Sequence, residues 1–579
     1  MDELSPPQST GSSPRNFSGK AFAEPVIQNA VMALCVILVM APVAPLVLQA
    51  FSPVPLYAWR GGLTLGNFQN LFTLPEISDL AGNTLLFCAI SITFSIVFGV
   101  ALAIIVARTD IPARKLLTNI LLWPIFVSPL VIGFGAILTY GPTGYVTSLF
   151  THATGIANPW NIYSLTGLSL ISGLSMAPMT ILYCLSSAQQ QDPRLEQAAR
   201  VAGASPFRTM RRITLPMMRP ALIFSFAMNI VAALEMFAIP LLLGGPSGIR
   251  LLTTFIYDKG FESGRPDYGL VSAASLILLV LVALLVLLQT FLLRSSHRFL
   301  SVGPKGGRMD VMGLGAWKWG VFAATLLYAL FGIVAIVFGL FLRSFVLVLS
   351  PYISPLSVLT LKNYHDIWLD PTYRHAISNT VMLAIGGAFA GVVVTGAIAL
   401  VAQRSNYRLR RVLDMMVQLP RAVPGLIVSL GVFYAVIFIP GLSLLSGTLW
   451  VLGLAYIVRH LPAGYGIIAP ALLQVTKDFD RAANVAGARW STTMRRIVAP
   501  ILKPALLSCF TLLMILFFKE YAAAIFLYRP GNEVISMAML NAWVPGYTGV
   551  VASLAVIQIA LTTLLLVIFT RLFGVRLNG

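Results

Sequence analysis

The chain has 579 residues, of which 58% are hydrophobic and only 10% charged, and its mean hydropathy is +0.86. Soluble domains carry about 25% charged residues, so this chain has too little polar surface to face water on all sides, and lipid must be part of its solvent. The net charge of +19 does not imply nucleic-acid binding: no basic run is interleaved with aromatics as strand-binding grooves require, and basic residues of membrane proteins collect in loops on one side.

Residues 1–25 are polar and rich in Ser and Pro and read as a disordered cytoplasmic tail. The apolar run that follows is too long for a signal-peptide core and reads as an uncleaved first helix. Crossing ~30 Å of hydrocarbon takes about 20 apolar residues. Such runs lie near 26–50, 84–107, 116–140, 163–187, 217–244, 270–293, 315–347, 380–402, 412–440, 447–473, 503–528 and 549–570. About twelve spans are expected. With the N-terminus inside, 28 of the 39 lysines and arginines fall in inside segments and 8 outside, which predicts both termini in the cytoplasm. Cys35, Cys88, Cys184 and Cys509 each stand alone in an apolar run and read as small hydrophobes, not as a disulfide or metal set.

The second half echoes the first. LTLGNFQNLF at 63–72 answers LTLKNYHDIW at 359–368, an offset of 296, and Asn83, Thr84 and Pro124 match Asn379, Thr380 and Pro420 at the same offset. Further on the offset becomes 284, and 15 of the 25 positions from 198 to 222 are identical. Each half carries an even number of spans, so this is a parallel repeat about an axis along the membrane normal. The expected architecture is an all-α integral membrane protein of two six-helix repeats, 26–300 and 301–579, with the seam in the basic loop around 301–308.

The strongest repeated segment falls between the fourth and fifth spans of each half, at 192–220 and 476–504. Each copy predicts a short helix broken at a glycine, Gly203 or Gly487, which permits a left-handed turn. A second short helix then ends at a proline, Pro216 or Pro500, leading into the next span. Arg211, Arg212, Arg495 and Arg496 make its exposed face basic. Such a segment suits docking, not catalysis.

These segments resemble the EAA loop of binding-protein-dependent ABC importer permeases. The first copy fits at Glu196, Ala198, Ala199, Gly203, Ile213 and Pro216; the second fits at Ala482, Ala483, Gly487, Ile497 and Pro500, with Asp480 where the family has Glu. The resemblance implies a type I importer permease fold in a bacterial inner membrane. It also implies that each loop is a coupling helix seated in a cleft of one of two cytoplasmic ATPase subunits, and that a periplasmic solute-binding protein delivers the solute. No GxxxxGK[ST] phosphate loop occurs in the chain, so ATP-Mg is expected on the partner subunit, with no cofactor or metal bound here and no enzymatic activity.

Fused double permeases are similar to the ferric-iron importer branch. ALEMFAIPLLLG at 233–244 and RPDYGLVSAASLILL at 265–279 resemble its fifth and sixth spans. FKEYAAAIFLYRP at 518–530 resembles its KELPATLLLRP segment, with Tyr521 and Ala522 replacing Leu-Pro. Ferric iron is therefore the expected cargo, and a polyamine, thiamine, a phosphonate or a sugar phosphate are the alternatives. A twelve-helix secondary transporter is the alternative class, although its basic signatures would follow the second span and not the fourth.

Ionisable residues inside spans include Glu235, Glu520, Lys519, Arg421 and Arg459, with His460 beside Arg459. Such groups are costly in hydrocarbon and face the bundle interior or a water-filled cavity. Either they line the translocation path or they form interhelical ion pairs that fix packing, for example Glu520 with Arg459. The cations argue for an anionic substrate or a chelated metal.

Overall fold

A computed structural model describes residues 23–262, 264–293, 313–348, 355–476 and 478–573. The expected seam at 301–308 lies outside the described residues, as does most of the 1–25 tail; the first helix starts at Ala23, so the last three residues assigned to the tail are helical. Among the described residues the structure is helical, with one isolated bridge between Val346 and Leu359 and no sheet. Hydrocarbon offers the backbone no hydrogen-bond partners, and a helix satisfies its own. Among the described residues, nine helices are long and apolar enough to cross a membrane, or up to twelve when each of three bent pairs counts as one span.

Several expected spans are not continuous. The run at 116–140 divides into Arg114–Leu122 and Pro129–Tyr140 around a tight turn at Trp123–Phe126. Likewise 412–440 divides into Arg410–Met416 and Gly425–Phe438 around Leu419–Ala422, with a bend of 111°. Each break holds two prolines (Pro124 and Pro129; Pro420 and Pro424), and the residue before the second, Ser128 or Val423, is extended, as a residue before a proline prefers to be. The runs at 217–244 and 503–528 stop early, at Glu235 and Phe518.

The repeated motifs turn out to fasten helix ends. Asn67 Nδ2 donates to the carbonyls of Ala50 and Ser52 at 3.0 and 2.8 Å, at the end of the first span. Asn363 Nδ2 does the same for Ser344 and Val346, at 2.9 and 3.3 Å, at the end of the seventh. These carbonyls have no partner within their own helix. Thr84 Oγ1 accepts from the Leu252 N–H at 3.1 Å and Thr380 Oγ1 from the Ile535 N–H at 2.9 Å, so each second span is tied to the segment before the sixth.

The halves are interlocked. The first span (Ala23–Phe51) packs between Tyr268–Leu293 of its own half and Gly425–Phe438 of the other; the end of the seventh (Ala335–Ser344) packs between Pro129–Tyr140 and Thr548–Phe573. Two glycines 296 residues apart allow this approach. A Cβ on Gly431 would lie 2.2 Å from the Pro42 carbonyl oxygen, and one on Gly135 would lie 2.6 Å from Ile336 Cγ2.

Candidate functional site

The two repeated loops have the same backbone. In the first, the helix Pro193–Val201 ends at Gly203, whose φ is +79°; in the second, Asp478–Val485 ends at Gly487, whose φ is +76°. The N–H of Ala202 donates to the Ala198 carbonyl (3.0 Å) and that of Ala204 to the Ala199 carbonyl (2.9 Å), and Ala486 and Ala488 bond to Ala482 and Ala483 at the same distances. This is a Schellman-type helix end, in which a residue one past the cap must be left-handed and is usually glycine. The spacing of two alanines and a glycine four residues on is therefore the spacing of a helix cap. Each second short helix passes through a π turn, Met210–Thr214 or Met494–Val498, and runs on past Pro216 or Pro500 instead of ending there; bends of 69° and 74° at Met218 and Leu502 then lead into the fifth and eleventh spans.

Glu196 and Asp480 do not face outward. Glu196 is buried, accepts from Thr214 Oγ1 at 2.7 Å and pairs with Arg108 at 3.2 Å. Asp480 pairs with Arg404 at 2.7 Å. Arg108 and Arg404 end the second and eighth spans and are themselves 296 residues apart, so each acid fastens its loop to the same helix of its own half. Neither arginine stands out from the sequence pattern of its own half, although the repeat offset marks the pair. The second latch is built differently: Arg404 Nη2 also donates to the carbonyls of Leu472 and Val475 at the end of Leu449–Gln474, and no hydroxyl stands where Thr214 does, because Val498 occupies that place. Exposed on the loops are Arg211, Arg212, Arg495 and Arg496, together with Val201 and Val485, which are 90% and 91% exposed. A repeated pair of valines held almost wholly in solvent is unusual, because burying one is worth about 1.5–3 kcal/mol.

Glu235, Arg459, Lys519 and Glu520 gather in one place. A cavity of about 310 Å³ lies between the two halves, lined by Glu235, Arg459, His460, Lys519 and Glu520. Arg459 bridges both carboxylates, at 3.4 Å from Glu235 and 3.0 Å from Glu520. Glu520 also bonds His460 Nε2 at 2.8 Å and accepts the N–H groups of Tyr521 and Ala523, both at 3.1 Å, where the helix has broken. The ion pair named as an example from the sequence is present, and Glu235 and His460 join it. Gly425 makes room for it: a Cβ there would lie 1.3 Å from Arg459 Nη1. Lys519 lines the cavity and Arg421 lies outside its lining, and neither joins the ion-paired cluster. Lys519 Nζ donates to the Ile125 carbonyl at 2.8 Å, and Arg421 Nη2 approaches Met228 Sδ at 3.1 Å. Both contacts cross between the halves at the proline breaks.

Beyond the cavity the broken segments of the fifth and eleventh spans close on each other. The Ala238 N–H donates to the Tyr521 hydroxyl at 3.2 Å, and the Phe237 and Tyr521 rings stack at 6.3 Å. A leucine at 521 could not accept that bond. No group of three or more His, Cys, Asp or Glu among the described residues could hold a metal ion, and all four cysteines are free and buried.

Two interlocked six-span repeats around a charged cavity, each bearing a glycine-capped loop on its basic face, define a solute permease. The chain belongs to the family described as binding-protein-dependent transport system inner membrane component, which matches it twice, at residues 95–298 and 370–578. It is a multi-pass ABC importer permease with both permease repeats fused in one chain. It is similar to a putative ferric transport system permease protein of Haemophilus influenzae, 26% identical over 449 residues, covering 76% of this chain and 68% of that one. A ferric transport system permease protein of Actinobacillus pleuropneumoniae is 26% identical over 484 residues, covering 83% and 69%. A sulfate transport system permease protein of Escherichia coli is 26% identical over 257 residues, covering 44% and 83%. Among solved structures, a bacterial ABC transporter that imports the acidic polysaccharide alginate matches with a TM-score of 0.41 at 21% identity, over 48% of this chain and 96% of that one.

Proposed function

We propose that this permease carries a solute, delivered by a periplasmic binding protein, through the cavity between its halves, driven by two copies of a separate ATPase subunit that hold ATP-Mg. In this reading the basic face and both termini lie in the cytoplasm, and the loops around Gly203 and Gly487 each dock into one ATPase subunit. Closure of the ATPase dimer on nucleotide draws the loops together and shifts the population toward the outward-open state. The observation that carries the reading is the pair of identically capped loops, each presenting an exposed valine and two exposed arginines while its acid is locked to the second or eighth span. That lock gives motion at the surface a rigid path into the bundle. The ferric permeases among the relatives support ferric iron as cargo.

The test is capture of the cognate ATPase subunit by the full chain in detergent. Wild-type chain is expected to retain it, and the Gly203→Pro, Gly487→Pro double variant to lose it while still folding. Equal capture by both would refute the docking role. The ligand of the cognate binding protein decides the cargo.

A further inference from the structure

We infer that the cavity between the halves takes a solute that presents anionic oxygens (carboxylate, phosphate or sulfate), so that iron, as cargo, passes inside an acid chelate and not as a bare cation. This rests on the reading above that the cavity is the transport path.

Both carboxylates at the cavity are already engaged: Glu235 by Arg459, and Glu520 by Arg459, His460 and two backbone N–H groups. Two further cations are not matched in this way. Lys519 reaches only a neutral carbonyl, that of Ile125, and Arg421 only the thioether of Met228; among the described residues neither forms an ion pair. Glu520 is the neighbour of Lys519 in sequence, but its oxygens are turned to Arg459, His460 and the backbone. Both cations sit where the chain breaks, Arg421 in Leu419–Ala422 and Lys519 against Trp123–Phe126, and Ile125 and Arg421 are equivalent positions of the repeat. A cation held in the bundle without a counter-charge is costly and marks a site for one.

The remaining wall is polar but uncharged or soft. Asn229 Nδ2 donates to Thr180 Oγ1 at 2.8 Å, and Met176, Met179, Met228 and Met236 line the same space. Thioethers suit soft metals, whereas hard cations prefer carboxylate and other oxygen ligands. A bare ferric ion would find no free carboxylate here. An oxyanion would find Lys519 on the cavity wall and Arg421 against Met228 of that wall, in a volume suited to a small solute.

The experiment is binding to the purified full chain in nanodiscs, followed by thermal stabilisation, with citrate, ferric citrate, sulfate and spermidine as probes. Citrate and ferric citrate are expected to stabilise the wild type, and spermidine to have no effect. Ferric citrate acting alone would identify the chelate as the ligand, whereas citrate acting equally well would identify the free acid chemistry. Lys519→Met and Arg421→Met should each weaken anion binding roughly tenfold, the size of one charge-assisted hydrogen bond, and the charge-keeping Lys519→Arg and Arg421→Lys should retain it within about threefold. The inference is overturned if spermidine binds as well as the acids, if no anion binds folded wild-type chain, or if the two Met variants bind unchanged. Capture of the ATPase subunit by the same preparation separates the outcomes: retained capture with no anion binding removes this inference alone, while lost capture removes the functional reading beneath it.

Discussion

Replacing Glu196 with glutamine should loosen the first coupling loop by an amount the structure allows to be worked out. Glu196 and Arg108 are 5% and 2% exposed and 3.2 Å apart. Removing one member of a buried ion pair costs about 3–5 kcal/mol because the other charge is left unpaired. Glutamine keeps the side-chain shape and can still accept from Thr214, so the loss is confined to the charge and falls at the low end, about 3 kcal/mol. That corresponds to roughly a 150-fold rise in local opening. Hydrogen exchange of the amides from 193 to 217, measured on the full chain in nanodiscs, reads this opening directly. Adding Arg108→Met to Glu196→Gln removes the orphaned charge and should return protection to within about 1 kcal/mol of wild type. Asp480→Asn should have a smaller effect, about 1 kcal/mol, because Asp480 is 23% exposed and its arginine keeps the Leu472 and Val475 carbonyls. Unchanged exchange in Glu196→Gln, or a larger effect from Asp480→Asn, would refute the reasoning.

Gly425→Ala should disturb the cavity without replacing a charged residue, because its methyl group would occupy the place of Arg459 Nη1; a thermal midpoint lowered by the equivalent of about 1–3 kcal/mol is expected, together with impaired uptake that Gly425→Ala in an Arg459→Lys background partly restores. Gly431→Leu and Gly135→Leu should each weaken the interlock between halves by overpacking, about 1–3 kcal/mol, and limited proteolysis should then release the first or the seventh span before the rest of the bundle; simultaneous, global cleavage would contradict the packing described.

What the sequence determined by itself was whatever local pattern controls. Span number follows from hydropathy, because a helix that crosses hydrocarbon needs a set length of apolar residues whatever its neighbours. The duplication follows from two constant offsets, and the capped loops follow from Gly203 and Gly487, where the left-handed turn is a property of the residue itself. Proline positions also marked the breaks at Trp123–Phe126 and Leu419–Ala422, but hydropathy ran across them, since an apolar residue is equally apolar in a helix or a turn. The tertiary structure alone decided which charges meet. Arg459 lies 224 positions from Glu235 and 61 from Glu520, and Arg108 lies 88 from Glu196, so no local rule pairs them. It also decided that Lys519 and Arg421 keep neutral partners while Glu235 and Glu520 pair with Arg459. Pairing depends on distances of 3–4 Å set by the crossing of helices from both halves, and that crossing is fixed by glycines such as Gly135, Gly425 and Gly431, whose role is visible only once the partner surface is in place.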